Sequence, residues 1–154
     1  MKHVICTASI FVIVLLFSAC GGSREAISAE EFTSLMTEAG HRVEDAIHIF
    51  DNESDTQVTD YLVADCGDFI VEFLVYETEE RARQVFANIR GEIEGMRSGT
   101  STYSSVNTSH FSRYRLTSGG YHGVVSRISN TIVVVVTSAD NRAEVDAVLE
   151  LLGY

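Results

Sequence analysis

The sequence contains no proline and no tryptophan, and its only lysine is Lys2. Without tryptophan, tyrosine and phenylalanine are the only large aromatic rings on which a sugar can stack. After residue 20, ten arginines stand against 22 acidic residues, which gives that part of the chain a formal charge of −12. A surface this acidic argues against nucleic acid as a partner and against a domain that lies flat on anionic lipid. It is equally typical of a soluble extracellular domain.

The recurring motifs of enzyme active sites are missing as well. The sequence has no GxSxG, no P-loop, no GxGxxG, no HExxH and no cluster of cysteine with histidine. Zinc is therefore not expected, and no cofactor is predicted. We interpret the chain as a non-enzymatic binding, interaction or structural module. The alternative is a hydrolase-like envelope enzyme with a site near His110 and His122, beside the polar segment 98–107.

The first twenty residues have the three parts of a secretory signal. Lys2 supplies a positive charge, an apolar stretch runs from Val4 to Phe17, and small residues lead to Cys20. The end of this segment, Phe17-Ser18-Ala19-Cys20, resembles the lipobox of bacterial lipoproteins, which closes in small residues and an invariant cysteine. The resemblance implies a signal peptide over residues 1–19 and a Cys20 that carries several fatty acyl chains such as palmitate. It implies a domain held by lipid on the extracytoplasmic face of the cell membrane.

Two other interpretations of the same segment remain open. The stretch from Val4 to Cys20 is short for a membrane-spanning helix, which needs about 20 residues, but it is just long enough for an uncleaved anchor. Cleavage near Ala19 without lipidation would instead release a secreted protein. In the lipoprotein interpretation, residues 20–27 form a short tether and residues 28–154 form one domain. Cys66 is then the only unmodified cysteine, so no internal disulfide is expected.

Apolar periodicity predicts an α+β fold for that domain. Ser28 and Glu31 have the spacing of a capping box and begin a first helix, Thr78 begins a second, and a third follows Asp140. Alternating and β-branched stretches predict the strands 41–50, 58–64, 69–76, 111–118, 121–128 and 131–138, while 98–107 is a loop or a weak edge strand. The expected fold is an antiparallel sheet of about six to seven strands in α-βββ-α-ββββ-α order, with helices packed mainly on one face.

The last three strands carry the only concentration of positive charge. Arg113 and Arg115 lie two apart, so their side chains project from one face, and His122 is expected beside them with Arg127 near by. Three valines are assigned to the same face: Val124, Val133 and Val135. Guanidinium groups grip carboxylates and phosphates, so we interpret these arginines and His122 as a candidate surface for a small anionic ligand or an envelope protein. Cross-strand pairing with acids, or cover by a helix, is the alternative.

An acidic segment gives a weak candidate for a cation site. Asp51, Glu53 and Asp55 place carboxylates at alternating positions, as at the start of a calcium loop. The sixth and twelfth positions of that motif, Thr56 and Leu62, lack its glycine and its bidentate glutamate. A solvated acidic turn is the simpler interpretation, and no metal is predicted.

Overall fold

The computed structural model describes residues 24–50 and 57–154. Cys20 and the segment with Asp51, Glu53 and Asp55 lie outside the described residues, so lipidation and the calcium-loop hypothesis stay predictions. Within the described part, no helix is both long enough and apolar enough to cross a membrane.

The described chain is a mixed α+β structure with one antiparallel sheet. Its main elements are α1 (Ala29–Glu38), β1 (Arg42–Asp45), β2 (Val58–Asp65), β3 (Ile70–Tyr76), α2 (Glu79–Gly95), β4 (Ser101–Asn107), β5 (Phe111–Ser118), β6 (Tyr121–Ile128), β7 (Thr131–Ser138) and α3 (Arg142–Leu151). Short 3-10 helices at Ile47–Phe50 and Ala139–Asn141 interrupt the expected order, which is therefore matched only roughly.

The sheet joins an N-terminal and a C-terminal meander. Its strand order is β1-β2-β3-β7-β6-β5-β4, and every neighbouring pair is antiparallel. The β5–β6 turn is Gly119-Gly120, and both residues have positive φ, as a two-residue hairpin of the type I′ class requires. The three C-terminal strands therefore pair in the register that their lengths and turns predict.

Both faces of the sheet are covered: two of the three helices, α1 and α3, pack on one face, and α2 packs on the other. One face packs against α1 and α3 through Phe32, Met36, Val71, Phe73, Val124, Val133, Val135, Val145 and Leu149. The other face packs against α2 through Leu74, Tyr76, Ala82, Phe86, Ile93, Tyr114, Leu116, Val125 and Ile132. The physical reason lies in β7, which is apolar on both sides over Ile132–Val135 and is buried on both. The three valines assigned to an arginine-ringed surface thus belong to the core.

Two local predictions also change. The first strand ends at Asp45 instead of residue 50, because the Asp45 carboxylate accepts a hydrogen bond from the Ile47 N–H at 3.0 Å and starts a 3-10 turn. The polar segment predicted as a loop or weak edge strand contains β4, which pairs with β5 from Ser101 to Asn107. Its side chains are mostly exposed, which explains why it lacks an apolar pattern.

Candidate functional site

The side chains of Arg113 and Arg115 on β5 lie on the face of the sheet that packs against α3, beside that helix. The alternation of the strand buries Tyr114 and Leu116 on the α2 face and turns the odd-numbered side chains to the α3 face. Beyond the edge of α3 this face is open, and it forms a cleft of about 460 Å³. We call it the arginine cleft; it is lined by Arg24, Arg113, Arg115, Asp146, Glu150, Gly153 and Tyr154.

The three arginines of this cleft are engaged to different degrees. Arg115 Nη1 lies 2.7 Å from Asp146 Oδ1, an ion pair whose angles fall outside those of a hydrogen bond. Arg24 Nη1 donates to the Gly153 carbonyl at 3.1 Å. Arg113 Nε makes only a long hydrogen bond of 3.4 Å to Ser126 Oγ, and its Nη2 has no hydrogen-bond partner among the described residues. Arg113 therefore keeps unused donor capacity.

An aromatic ring holds two of these guanidinium groups in place. The Arg24 guanidinium lies 4.4 Å and that of Arg113 lies 5.2 Å from the centroid of the Phe111 ring. Burial, together with the charges of Arg115 and Arg24, lowers the pKa of Arg113 to about 10, with Asp146 acting in the opposite direction. The arginine cleft thus concentrates positive charge in partial isolation from water, and a bound anion would relieve that repulsion.

His122 lies beside a second, smaller cleft of about 110 Å³. We call it the histidine cleft; it is lined by Thr102, Tyr103, Ser104, Arg115, Thr117, His122 and Arg142. The imidazole is only 2% exposed, its Nδ1 lies 2.8 Å from Thr117 Oγ1, and its Nε2 has no hydrogen-bond partner in the part of the chain that is described. Burial lowers the pKa of His122, with Arg142 and Arg115 adding to the effect and Asp146 opposing it, so the ring is neutral at pH 7.

Arg127 does not belong to this surface, contrary to the sequence interpretation. It pairs in register with Ser112 and Ile132, on the α2 face, and is fully buried. Its guanidinium donates to the Ser129 carbonyl at 2.8 Å, the Ser109 carbonyl at 2.9 Å and Glu79 Oε1 at 3.2 Å. Side chains of a strand alternate between the two faces of the sheet, so the odd-numbered residue 127 and the even-numbered residue 122 of β6 lie on opposite faces. Arg127 is a structural residue that fixes the β4–β5 turn to the start of α2.

The two histidines of the enzyme hypothesis are not brought together. His110 lies in the exposed β4–β5 turn, with its Nδ1 3.7 Å from Glu79 Oε1. His122 pairs with Thr117 at the other end of β5, so the two lie about 23 Å apart along the strands. A single site that uses both imidazoles does not exist in this geometry.

Sequence reasoning missed the acidic and basic residues that α3 contributes to the clefts. Arg142, Asp146 and Glu150 follow one another at i,i+4 spacing and therefore share one helix face. That spacing was visible in the sequence, but nothing in it shows that this face meets β5. Among residues 24–50 and 57–154, no three histidine, cysteine or acidic side chains are grouped so as to hold a metal ion.

Comparisons with known proteins identify no family for this chain. No family model matches it, and no curated protein matches it. Among solved structures, a GTP-binding regulator from Thermotoga maritima is similar in fold, with a TM-score of 0.50 and 17% identity over 82% of this chain and 88% of that one. The extracellular domain of PknH from Mycobacterium tuberculosis aligns with a TM-score of 0.38 and 10% identity, over 83% of this chain and 90% of that one. The first likeness shows a shared fold and nothing about function.

Proposed function

We propose that this protein is a lipid-anchored extracytoplasmic module of the cell envelope that binds a small anionic ligand in the arginine cleft. The observation that carries the proposal is Arg113, a partly buried guanidinium that faces two further arginines and keeps a donor without a partner in the described chain. The planar guanidinium group can donate two parallel hydrogen bonds to a carboxylate or phosphate group, and these charge-assisted hydrogen bonds are stronger than those between neutral groups. In a chain with an excess of acidic residues, this cleft offers a local site of opposite charge.

The arginine cleft also lies close to the proposed anchor. Arg24 lines the cleft and follows Cys20 by four residues, a length of chain that spans at most about 14 Å. A lipid on Cys20 therefore holds the cleft near the membrane surface, where it meets ligands of the envelope and not of the cytoplasm.

The alternative is an envelope enzyme centred on His122 alone. One observation favours it: the 2.8 Å contact between His122 Nδ1 and the Thr117 hydroxyl, which resembles the contact of a nucleophile with its base. A base of this kind also needs a group that orients its second nitrogen, and Nε2 has no such partner among the described residues. The binding module remains the better-supported proposal.

The binding proposal is tested by calorimetric titration of the full chain, purified from membranes in a non-ionic detergent, with hexanoate and with adipate. We expect both carboxylates to bind, and Arg113→Gln to weaken both by at least about tenfold, since one charge-assisted contact is worth about 1.5–3 kcal/mol. Arg42→Gln is the matched control, because Arg42 is 71% exposed on β1 at the far edge of the sheet. No binding, or an equal loss in both variants, would refute the assignment.

The anchor is tested separately by the intact mass of the protein from the membrane fraction of its native host. A mass equal to residues 20–154 plus a diacylglyceryl group, absent from a Cys20→Ala variant, is the expected result. A full-length unmodified mass would replace the lipid with an uncleaved anchor, and cleavage near Ala19 without lipid would make the protein a secreted one.

A further inference from the structure

Arg115 is shared by two clefts that lie on either side of it along β5. The arginine cleft lies toward Arg113, and the histidine cleft lies toward Thr117. Successive residues on one face of a strand are about 7 Å apart, so the midpoint between Arg113 and Arg115 and the midpoint between Arg115 and Thr117 are separated by roughly that distance. The sequence interpretation treated Arg113, Arg115 and His122 as one surface, whereas the structure divides them into two neighbouring subsites.

The histidine cleft has the features of a built polar site. Its volume of about 110 Å³ equals about three or four water molecules, which suits one carboxylate or phosphate and little else. Its inner wall is His122, whose buried Nε2 has no partner in the described residues. An unsatisfied buried polar atom costs stability, and a ligand group that pairs with it removes that cost.

The charges around the two clefts point to the kind of ligand. Four guanidinium groups line them together, from Arg24, Arg113, Arg115 and Arg142, against the two carboxylates of Asp146 and Glu150. Asp146 lines the arginine cleft, and its carboxylate lies 2.7 Å from Arg115 Nη1 and 3.9 Å from Nε of Arg142, which lines the histidine cleft. With His122 neutral, the side chains that line the two clefts together carry two more positive than negative charges.

From these observations we infer that the ligand carries two acidic groups, one in the arginine cleft and a second in the histidine cleft across Arg115. The ligand class is a small linear dianion whose acidic groups are about 7 Å apart. In the tautomer that this inference requires, the Thr117 hydroxyl donates a hydrogen bond to His122 Nδ1, and the ring N–H at Nε2 is the donor to the second acidic group. Arg142 supplies the remaining charge from α3. The inference rests on the proposed anion-binding function.

The test compares two probes of equal chain length, adipate and hexanoate, which differ by one carboxylate. In calorimetric titrations of the full chain we expect adipate to bind at least about tenfold more tightly than hexanoate, as one additional charge-assisted contact implies. Arg142→Gln should reduce the affinity for adipate to that for hexanoate; its side chain is 56% exposed, so the variant is expected to fold. His122→Leu should have the same effect on adipate, and Arg42→Gln should have none.

The possible results separate this inference from the function on which it rests. Equal affinities for the two probes, both weakened by Arg113→Gln, would overturn the two-group ligand and leave the arginine cleft as a binding site. A preference for adipate that survives both Arg142→Gln and His122→Leu would also overturn it, because the second group would then lie elsewhere. No binding of either probe would remove the proposed function and this inference together.

Discussion

Arg127 and Arg113 lie on the same hairpin, but the structure assigns them opposite effects on stability. Arg127 is completely buried and is held by hydrogen bonds to three backbone carbonyls, to Ser112 Oγ and to Glu79. Arg113 is partly buried beside two other arginines and has one long hydrogen bond from Nε. Replacing each by methionine, which keeps much of the side-chain length, compares the two roles directly.

For Arg127→Met we expect a loss of about 3 kcal/mol in the free energy of unfolding. Each hydrogen bond of a charged group contributes about 1.5–3 kcal/mol, and carbonyls left without a donor carry a desolvation cost. The loss is reduced because Glu79, 32% exposed, keeps Arg83 as a partner and can turn to water. For a domain of this size, about 3 kcal/mol corresponds to a fall in Tm of roughly 10 °C.

For Arg113→Met we expect no loss, and a gain of up to about 1 kcal/mol in the absence of ligand. The pKa of Arg113 is lowered to about 10 in the folded protein, so folding favours the uncharged form of this side chain. A base with a lowered pKa opposes folding at every pH below that value, which includes neutral pH. Removing the charge therefore removes an unfavourable contribution.

The assay is thermal and urea unfolding of the full chain in non-ionic detergent, followed by circular dichroism because the protein has no tryptophan. Our reasoning would be refuted if Arg127→Met cost less than about 1 kcal/mol, or if Arg113→Met were as destabilising as Arg127→Met.

Three further results are expected. A Cβ at Gly123 would lie 2.9 Å from Ile93 Cγ2, so Gly123→Ala should cost about 1–3 kcal/mol by overpacking, and an Ile93→Ala background should abolish that cost in a double-mutant cycle. The pKa of His122 lies below 6.5 in the folded state, so at lower pH the unfolded chain binds a proton that the native protein does not. The free energy of unfolding should therefore fall as the pH drops below about 6.5. In unfolding measured as a function of pH, His122→Gln should make this fall smaller. Burial and the charge of Asp65 raise the pKa of Cys66 to about 11. Iodoacetamide should therefore alkylate Cys66 at least about tenfold more slowly in the native than in the urea-unfolded chain. Equal rates of alkylation would contradict this expectation.

Local patterns predicted most of the secondary structure. Ser28 and Thr78 each accept a hydrogen bond from the backbone N–H three residues later, as the helix-start signals predicted. The three C-terminal strands have the predicted bounds, because two-residue turns fix both their length and their register. These features depend on neighbours in the sequence, and the sequence is therefore sufficient to find them.

The positions of the helices could not be read in the same way. The apolar residues of both faces are visible in β7, but only tertiary packing shows that α2 covers one face and α3 the other. The prediction of the candidate site was wrong at Arg127 for the same reason. An arginine on a strand is compatible with a binding surface, but Arg127 is buried against Glu79, which lies 48 residues away in the sequence. Arg113 and Arg115 were predicted correctly to share a face because strand alternation alone decides it.

The most direct test of the anion site is an NMR titration of the full chain, labelled with ¹⁵N-arginine, that follows the side-chain Nε–H signals while hexanoate is added. Arg113 and Arg115 line the arginine cleft and should shift progressively to saturation, whereas Arg127, closed off on the opposite face, should not move. Saturable shifts confined to the cleft would support the proposed function. Small, uniform shifts of all arginines, or a response at Arg127 equal to that at Arg113, would contradict it.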